Sequence, residues 1–433
     1  MRKKKVKKSK KAWVVTVNMG YGHQRTAYPL RKLAFNDEII NANDYEGISK
    51  SDKKLWESSR RFYEFISRFK RVPLIGEPVF GLYDKFQAIP SFYPRRDLSA
   101  PTLGLKKMFS LIEKGWGKDL ILKLKNKHLP LITTFFVPAF MAEVFDYPGD
   151  IYCVVCDADI SRAWVSLNSK KSKIKYFTPD DWVANRLGLY GVKKENIFMT
   201  GFPLPSENIG TRRMEVLKHD LSHRLLNLDP KKEYFKNYKT LVKNHLGRLP
   251  KKSNHILTVM FTVGGAGAQK DIGIKIIKSL NREIKEKKIK VILAAGIRPE
   301  IKEYFEENIK KLGLSGNKNI EIVFASEIND YFEKFNQKLR VTDVLWTKPS
   351  ELSFYTGLGL PIIIAPPVGS QEDFNKKWLL AIGSATAQED PAYVNQWFFD
   401  YLNSGRLAEA AMQGFIEAEK KGVYNIQKVV FKN

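Results

Sequence analysis

The stretch "WVVTVNMGYGHQRTAYPL", residues 13–30, opens with an apolar run, turns at two glycines and continues in a helical pattern that carries His23. An apolar run bounded by glycine predicts a strand buried on both faces, and the turn at its carboxyl end is where open α/β sheets hold ligands. The same grammar restarts at "HILTVMFTVGGAGA", 255–268. Strand-like pieces alternate with helix-like pieces after each start: a helix near 24–35, "EIINAND" (38–44), "LPLITTFF", "GDIYCVVCD" and "KIKYFTP" in the first half, then "KVILAAG", "IEIVFAS", "VTDVLWT" and "GLPIIIAPP" in the second. Alternation predicts an α/β fold, and the repeated opening predicts two Rossmann-like parallel-sheet domains facing across a cleft.

A chain of 433 residues exceeds one ordinary core, and 43% hydrophobic with 12% aromatic residues suits packed domains. The pattern divides it into a basic tail (1–11), a first domain (12–206), a polar, basic connecting segment (207–252), a second domain (253–403), and a last helix and tail (404–433) returning to brace the first.

The net charge is +27, and eight of the first eleven residues are Lys or Arg. An excess of this size points to a nucleic acid, an anionic membrane surface or a generally basic exterior. No RNP-type aromatic motif, zinc-finger spacing or helix-turn-helix supports nucleic acid, so none is expected as partner. The longest apolar stretch, "PLITTFFVPAFMA" (130–142), is too short to span a bilayer and is broken by Pro138. The basic tail leads into a strand without a small-residue cleavage site, so no secretory signal is read. Residues 60–96 mix Arg and Lys with Phe, Tyr, Leu and Ile, as a surface lying in a lipid headgroup layer needs; a helical hairpin packed on its own domain gives a similar pattern. The expected location is cytoplasmic, peripheral on the inner face of the membrane. Cys153 and Cys156 lie in an apolar strand with no second cysteine pair, so buried thiols are expected and no metal site.

The chemistry-bearing residues fall at strand ends. In "FTVGGAGAQK" (261–270), Gly264, Gly265 and Gly267 admit close approach of a ligand to backbone N–H groups, and the helix start behind them favours a phosphate. The motif matches neither the Walker loop nor the strict dinucleotide fingerprint. "TKPSELSFYTGLGLP" (347–361) predicts a short helix starting near Ser350 and Glu351 and stopping at Gly359, and "GSQED" sets Gln371 and Glu372 after the next strand.

Taken in order, "MGYGHQRTA", "CDADISRAW", "YFTPDDWVANRLGLYGVKKENIFMTGFPLP", "VGGAGA" and "KPSELSFYTGLGLPIIIAPPVGSQEDFN" resemble the two-domain GT-B glycosyltransferases that include monogalactosyldiacylglycerol synthase and the peptidoglycan lipid-linked N-acetylglucosamine transferase. The resemblance covers most of the chain. It implies an inverting hexosyl transfer from a nucleotide sugar, with uridine as the expected nucleotide, to a hydroxyl acceptor such as a membrane lipid. It needs no cofactor beyond that substrate. It puts Gly264, Gly265, Gly267, Ser350 and Glu351 at the nucleotide diphosphate and ribose, Gln371 and Glu372 near the sugar, and Gly20, Gly22, His23 and Asp157 on the acceptor side. One position departs from the pattern: Phe354 stands where relatives carry a ribose-holding glutamate, and Glu351 lies one helical turn earlier, so either Glu351 takes over or the base and ribose are held differently.

In such a transfer His23, with an ordinary pKa near neutrality, accepts the hydroxyl proton, while Asp157 or Asp159 is the alternative base or the group that orients it. Other readings compete, among them a degenerate transferase that binds a sugar nucleotide without turning it over, hinted at by Phe354 alone. A sugar-nucleotide epimerase of the same architecture needs no separate acceptor, and a non-catalytic nucleic-acid-binding protein rests on charge alone.

Overall fold

The computed structural model describes residues 10–58, 88–264, 267, 269–367 and 370–432. Gly265, most of the basic tail and most of the 60–96 patch lie outside the described residues. Two six-stranded sheets organise the chain, and every strand pair in both is parallel. The first contains β1 (Ala12–Thr16), β2 (Ala34–Asn41), β3 (Leu131–Thr133), β4 (Ile151–Val154), β5 (Lys175–Thr178) and β6 (Ile197–Met199), in the order β2-β1-β3-β4-β5-β6. The second contains β7 (Thr258–Thr262), β8 (Lys290–Gly296), β9 (Ile320–Phe324), β10 (Val344–Thr347), β11 (Ile362–Ile364) and β12 (Ala385–Ala387), in the order β12-β11-β10-β7-β8-β9. The central strands read as continuous apolar runs because helices cover both faces, and β4, β7 and β10 are buried along their whole length.

In each sheet the strand order reverses beside the first strand, between β1 and β3 and between β7 and β10. The loops leaving such a pair diverge to opposite faces and open a crevice at the carboxyl edge. The two reversals are built alike. The Thr16 and Thr134 hydroxyls are hydrogen-bonded to each other (2.9 Å), as are those of Thr262 and Thr347 (2.8 Å), so one buried threonine pair pins each switch point.

Two local differences from the sequence reading have plain causes. The strand expected at 38–44 runs over Ala34–Asn41 and is irregular at its start, where Asn36 and Asp37 take φ of 55° and 57° and hide the apolar pattern. The segment after β10 is a 3-10 helix, Glu351–Leu358, buried at every residue, that stops at Gly359 in the left-handed conformation. The helices Glu215–Leu228 and Glu233–Leu246 fill the middle of the chain, and Arg224 ties the former to the second sheet through the carbonyls of Thr342 and Leu358. At the chain's end Ile426 and Val430 pack with Ala12, Val14 and Leu30 beside the first sheet. Among the described residues no helix is long and apolar enough to cross a membrane.

Candidate active site

The turn after β1 is built around Gly20, whose φ of 101° caps the short His23 helix (Tyr21–Ala27), with Gly22 in its first turn. Because β3 neighbours β1, this helix meets the loop after β3. The His23 imidazole donates from Nδ1 to the Thr134 carbonyl (2.8 Å), and the Thr134 hydroxyl donates back to the His23 carbonyl (2.9 Å). The ring packs against Phe135, 4.7 Å between centroids, and Trp164. Burial pushes its pKa down to about 4, so at neutral pH the ring is uncharged. With Nδ1–H committed to Thr134, Nε2 holds the lone pair and has no hydrogen-bond partner among the described residues.

Two carboxylates follow β4, and they differ. Asp159 is fully buried, and its oxygens accept from Arg186 Nε (2.9 Å) and Nη2 (2.8 Å), from the Trp182 indole (2.9 Å) and from the Ile160 N–H (2.8 Å). A carboxylate so fully paired has no free lone pair for a substrate proton. Through Trp182 and Arg186, Asp159 anchors the helix Asp181–Leu189 under the site. Asp157 faces the other lobe. Burial raises its pKa to about 6, against the opposing effect of Asn375, whose amide donates to Oδ1 (3.1 Å).

The second half stands opposite. Gly264 follows β7 and lies against Lys348, which follows the neighbouring β10; a β-carbon at 264 would come within 2.6 Å of Lys348 Cε. Gly267 closes the turn by donating its N–H to the Gly264 carbonyl (2.7 Å), and the next helix starts at Lys270. Gln371 and Glu372 occupy the first turn of the helix Ser370–Ala381, where Glu372 pairs with the Lys348 ammonium. Gly264, Lys348 and Glu372 thus form one group at the second switch point. Ser350 precedes the 3-10 helix, and its side chain makes no capping bond.

Glu351 does not face open solvent. Its Oε1 accepts from Arg25 Nε at 3.0 Å, in an ion pair whose side chains are 3% and 8% exposed. Through this pair the carboxylate joins the two lobes. Phe354 is a core residue, stacked on Phe202 at 5.0 Å and packed against Trp378. Asn375, fully buried, adds a second bridge: its carbonyl oxygen accepts from the Ala158 N–H (2.7 Å), while its amide serves Asp157.

The structure therefore brings together Gly20, Gly22, His23 and Asp157 on one wall, and Gly264, Lys348, Glu351 and Glu372 on the other. Arg25, Lys348 and Asn375 escape a sequence reading. Lys348 left a signal, as the only cation between β10 and its following helix; Arg25 and Asn375 sit inside helices, where polar residues read as solvent-facing. Among the described residues no group of three or more His, Cys, Asp or Glu is arranged to hold a metal.

Two parallel six-stranded sheets with their switch points opposed define a GT-B fold. The chain is similar over 392 residues, at 22% identity, to the processive diacylglycerol beta-glucosyltransferase of Bacillus subtilis (strain 168), covering 87% of this chain and 83% of that relative. The protein of the same name from Bacillus pumilus (strain SAFR-032) is also 22% identical over 392 residues, covering 87% of this chain and 82% of its own. Residues 231–432 match a family model described as a domain of unknown function, DUF6938. Among solved structures, Acinetobacter baumannii MurG superposes with a TM-score of 0.46 at 13% identity over 98% of this chain and 100% of that one. A Neisseria meningitidis UDP-GlcNAc 2-epimerase bound to UDP-GlcNAc gives 0.43 at 11% identity over 78% and 84%.

Proposed function

We propose that the protein is an inverting glycosyltransferase that moves a hexose from a UDP-sugar to the hydroxyl of a membrane lipid of the diacylglycerol type. The observation that carries the reading is the pairing of walls: a neutral histidine with a free Nε2 on one switch point, and a glycine turn with a lysine on the other. The diphosphate is read against the turn that Gly267 closes, where the Gly264 backbone N–H and the Lys348 ammonium supply fixed positive charge. Lys348 exchanges Glu372 for phosphate, and Gln371 and Glu372 meet the sugar hydroxyls. The acceptor oxygen bonds to the anomeric carbon from the face opposite the diphosphate. The carbon–oxygen bond to phosphate breaks, UDP leaves with the electron pair, and the acceptor proton passes to His23 Nε2. Asp157 lies beside this path, raised by burial yet ionised at neutral pH.

The lipid class follows from the relatives' printed activity and from an exposed rim on the first lobe. Tyr93, Leu103 and Trp182 are 62%, 83% and 38% exposed, with Arg95 beside the rings of Phe92 and Tyr93. Apolar side chains among cations suit an anionic bilayer surface.

A thermal-shift comparison tests the donor. UDP raises the melting temperature more than ADP, GDP or TDP does, and Lys348→Met removes the shift. Equal shifts with all four, or none with any, defeat the reading.

A further inference from the structure

The His23 helix is only seven residues long and is held from two sides. A helix this short has little stability of its own, so its place is set by whatever packs against it. One side belongs to its own sheet, through Thr134. The other is occupied by the donor lobe. Tyr21, Arg25 and Tyr28, spaced along one face, meet the helix Ile328–Leu339 at Tyr331, Phe332 and Phe335. The Arg25 guanidinium lies 4.7 Å from the Phe332 ring centre and 4.4 Å from that of Phe335 while Nε donates to Glu351. The Tyr21 hydroxyl accepts from the Ile297 N–H at 3.0 Å, in the turn after β8, and a β-carbon at Gly296 would collide with that hydroxyl. The donor lobe is therefore shaped to receive this helix.

Lobes joined by modest interfaces move relative to each other by default. Here the element that carries the proposed proton acceptor is itself one of the fastenings, so separating the lobes strips one side from the His23 helix. We propose that Tyr21 and Arg25 are positioning residues: they clamp the His23 helix to the donor lobe, so that lobe closure and alignment of His23 are one event. The proposal rests on His23 being the acceptor-side base, but the clamp itself is a statement about lobe geometry that can be read without activity.

The test uses the full chain with spin labels at two exposed positions, one per lobe, through Asn126→Cys and Lys310→Cys; the native cysteines are buried. Against that background, Tyr21→Phe deletes one hydroxyl and keeps the ring, and Arg25→Met/Glu351→Leu removes both charges of the pair together. The parent gives one narrow interlobe distance distribution. Each variant, still folded by circular dichroism, broadens it toward longer distances, and turnover drops at least about tenfold while UDP affinity stays within about twofold. An unchanged distribution in both variants overturns the clamp. A broadened distribution with unchanged turnover overturns the positioning role. If the parent itself transfers no sugar, the functional reading falls, and the distance measurement still decides the clamp.

Discussion

The neutral state of His23 can be measured as a slope of stability against pH. Its pKa falls from the ordinary 6.5 to about 4 on folding, because burial penalises the imidazolium. Below pH 6.5 the unfolded chain takes up a proton there that the folded chain refuses, so stability due to this group is full above 6.5 and is lost as pH falls toward 4. The complete loss is about 3 kcal/mol, and about 2 kcal/mol of it falls between pH 7 and pH 5. Asp157 titrates in the same window with the opposite sign: its pKa is raised to about 6, so it weakens the fold as pH rises. The comparison must therefore be differential. His23→Asn keeps an amide that can donate to the Thr134 carbonyl and removes the titration. Urea unfolding followed by tryptophan fluorescence reports the right region, since Trp164 lies 6.2 Å from the His23 ring. Wild type should exceed the variant at pH 7 by a margin that shrinks by about 2 kcal/mol at pH 5. A margin constant across that range would mean that His23 is not held neutral by the fold, and the argument for a ready Nε2 would fail.

Three further outcomes follow from the contacts. Glu351→Gln leaves Arg25 charged and buried, so it should cost about 3–5 kcal/mol in equilibrium unfolding while changing UDP affinity less than about threefold; a selective loss of UDP binding would instead make Glu351 a ribose ligand. Gly264→Ala forces Lys348 aside and should weaken UDP binding by about 2 kcal/mol, measured by calorimetry, with the unfolding midpoint nearly unmoved; normal affinity would remove the lysine from the diphosphate site. Leu103→Asp should lower sedimentation with anionic liposomes, and salt should lower it further; equal binding to neutral vesicles would discard the charged rim.

The two switch points were readable because each joins an apolar strand to a glycine turn, a signature local enough to survive without tertiary context. The mouth between them was only half readable. Glu351 stood out as an acidic residue at a helix start, but its partner Arg25 is 326 positions away in sequence, and nothing local marks an arginine whose guanidinium is buried under aromatic rings. Asp157 and Asp159 look equivalent as a Cys-Asp-Ala-Asp run; what separates them is Arg186, brought under the site by the helix after β5. Asn375 was invisible for the same reason, since only lobe packing sets its amide against Asp157. Phe354 shows the converse: a departure from a family pattern marked a core contact with Phe202.

The most direct test of the account is product analysis after incubating the protein with UDP-glucose and vesicles containing diacylglycerol and anionic phospholipid. The account predicts that UDP and a β-linked glucosyl lipid accumulate in equal amounts, only when the lipid is present, and that His23→Asn abolishes both while still binding UDP. Conversion of the nucleotide sugar to an epimer without any acceptor, or transfer that persists in His23→Asn, would contradict it.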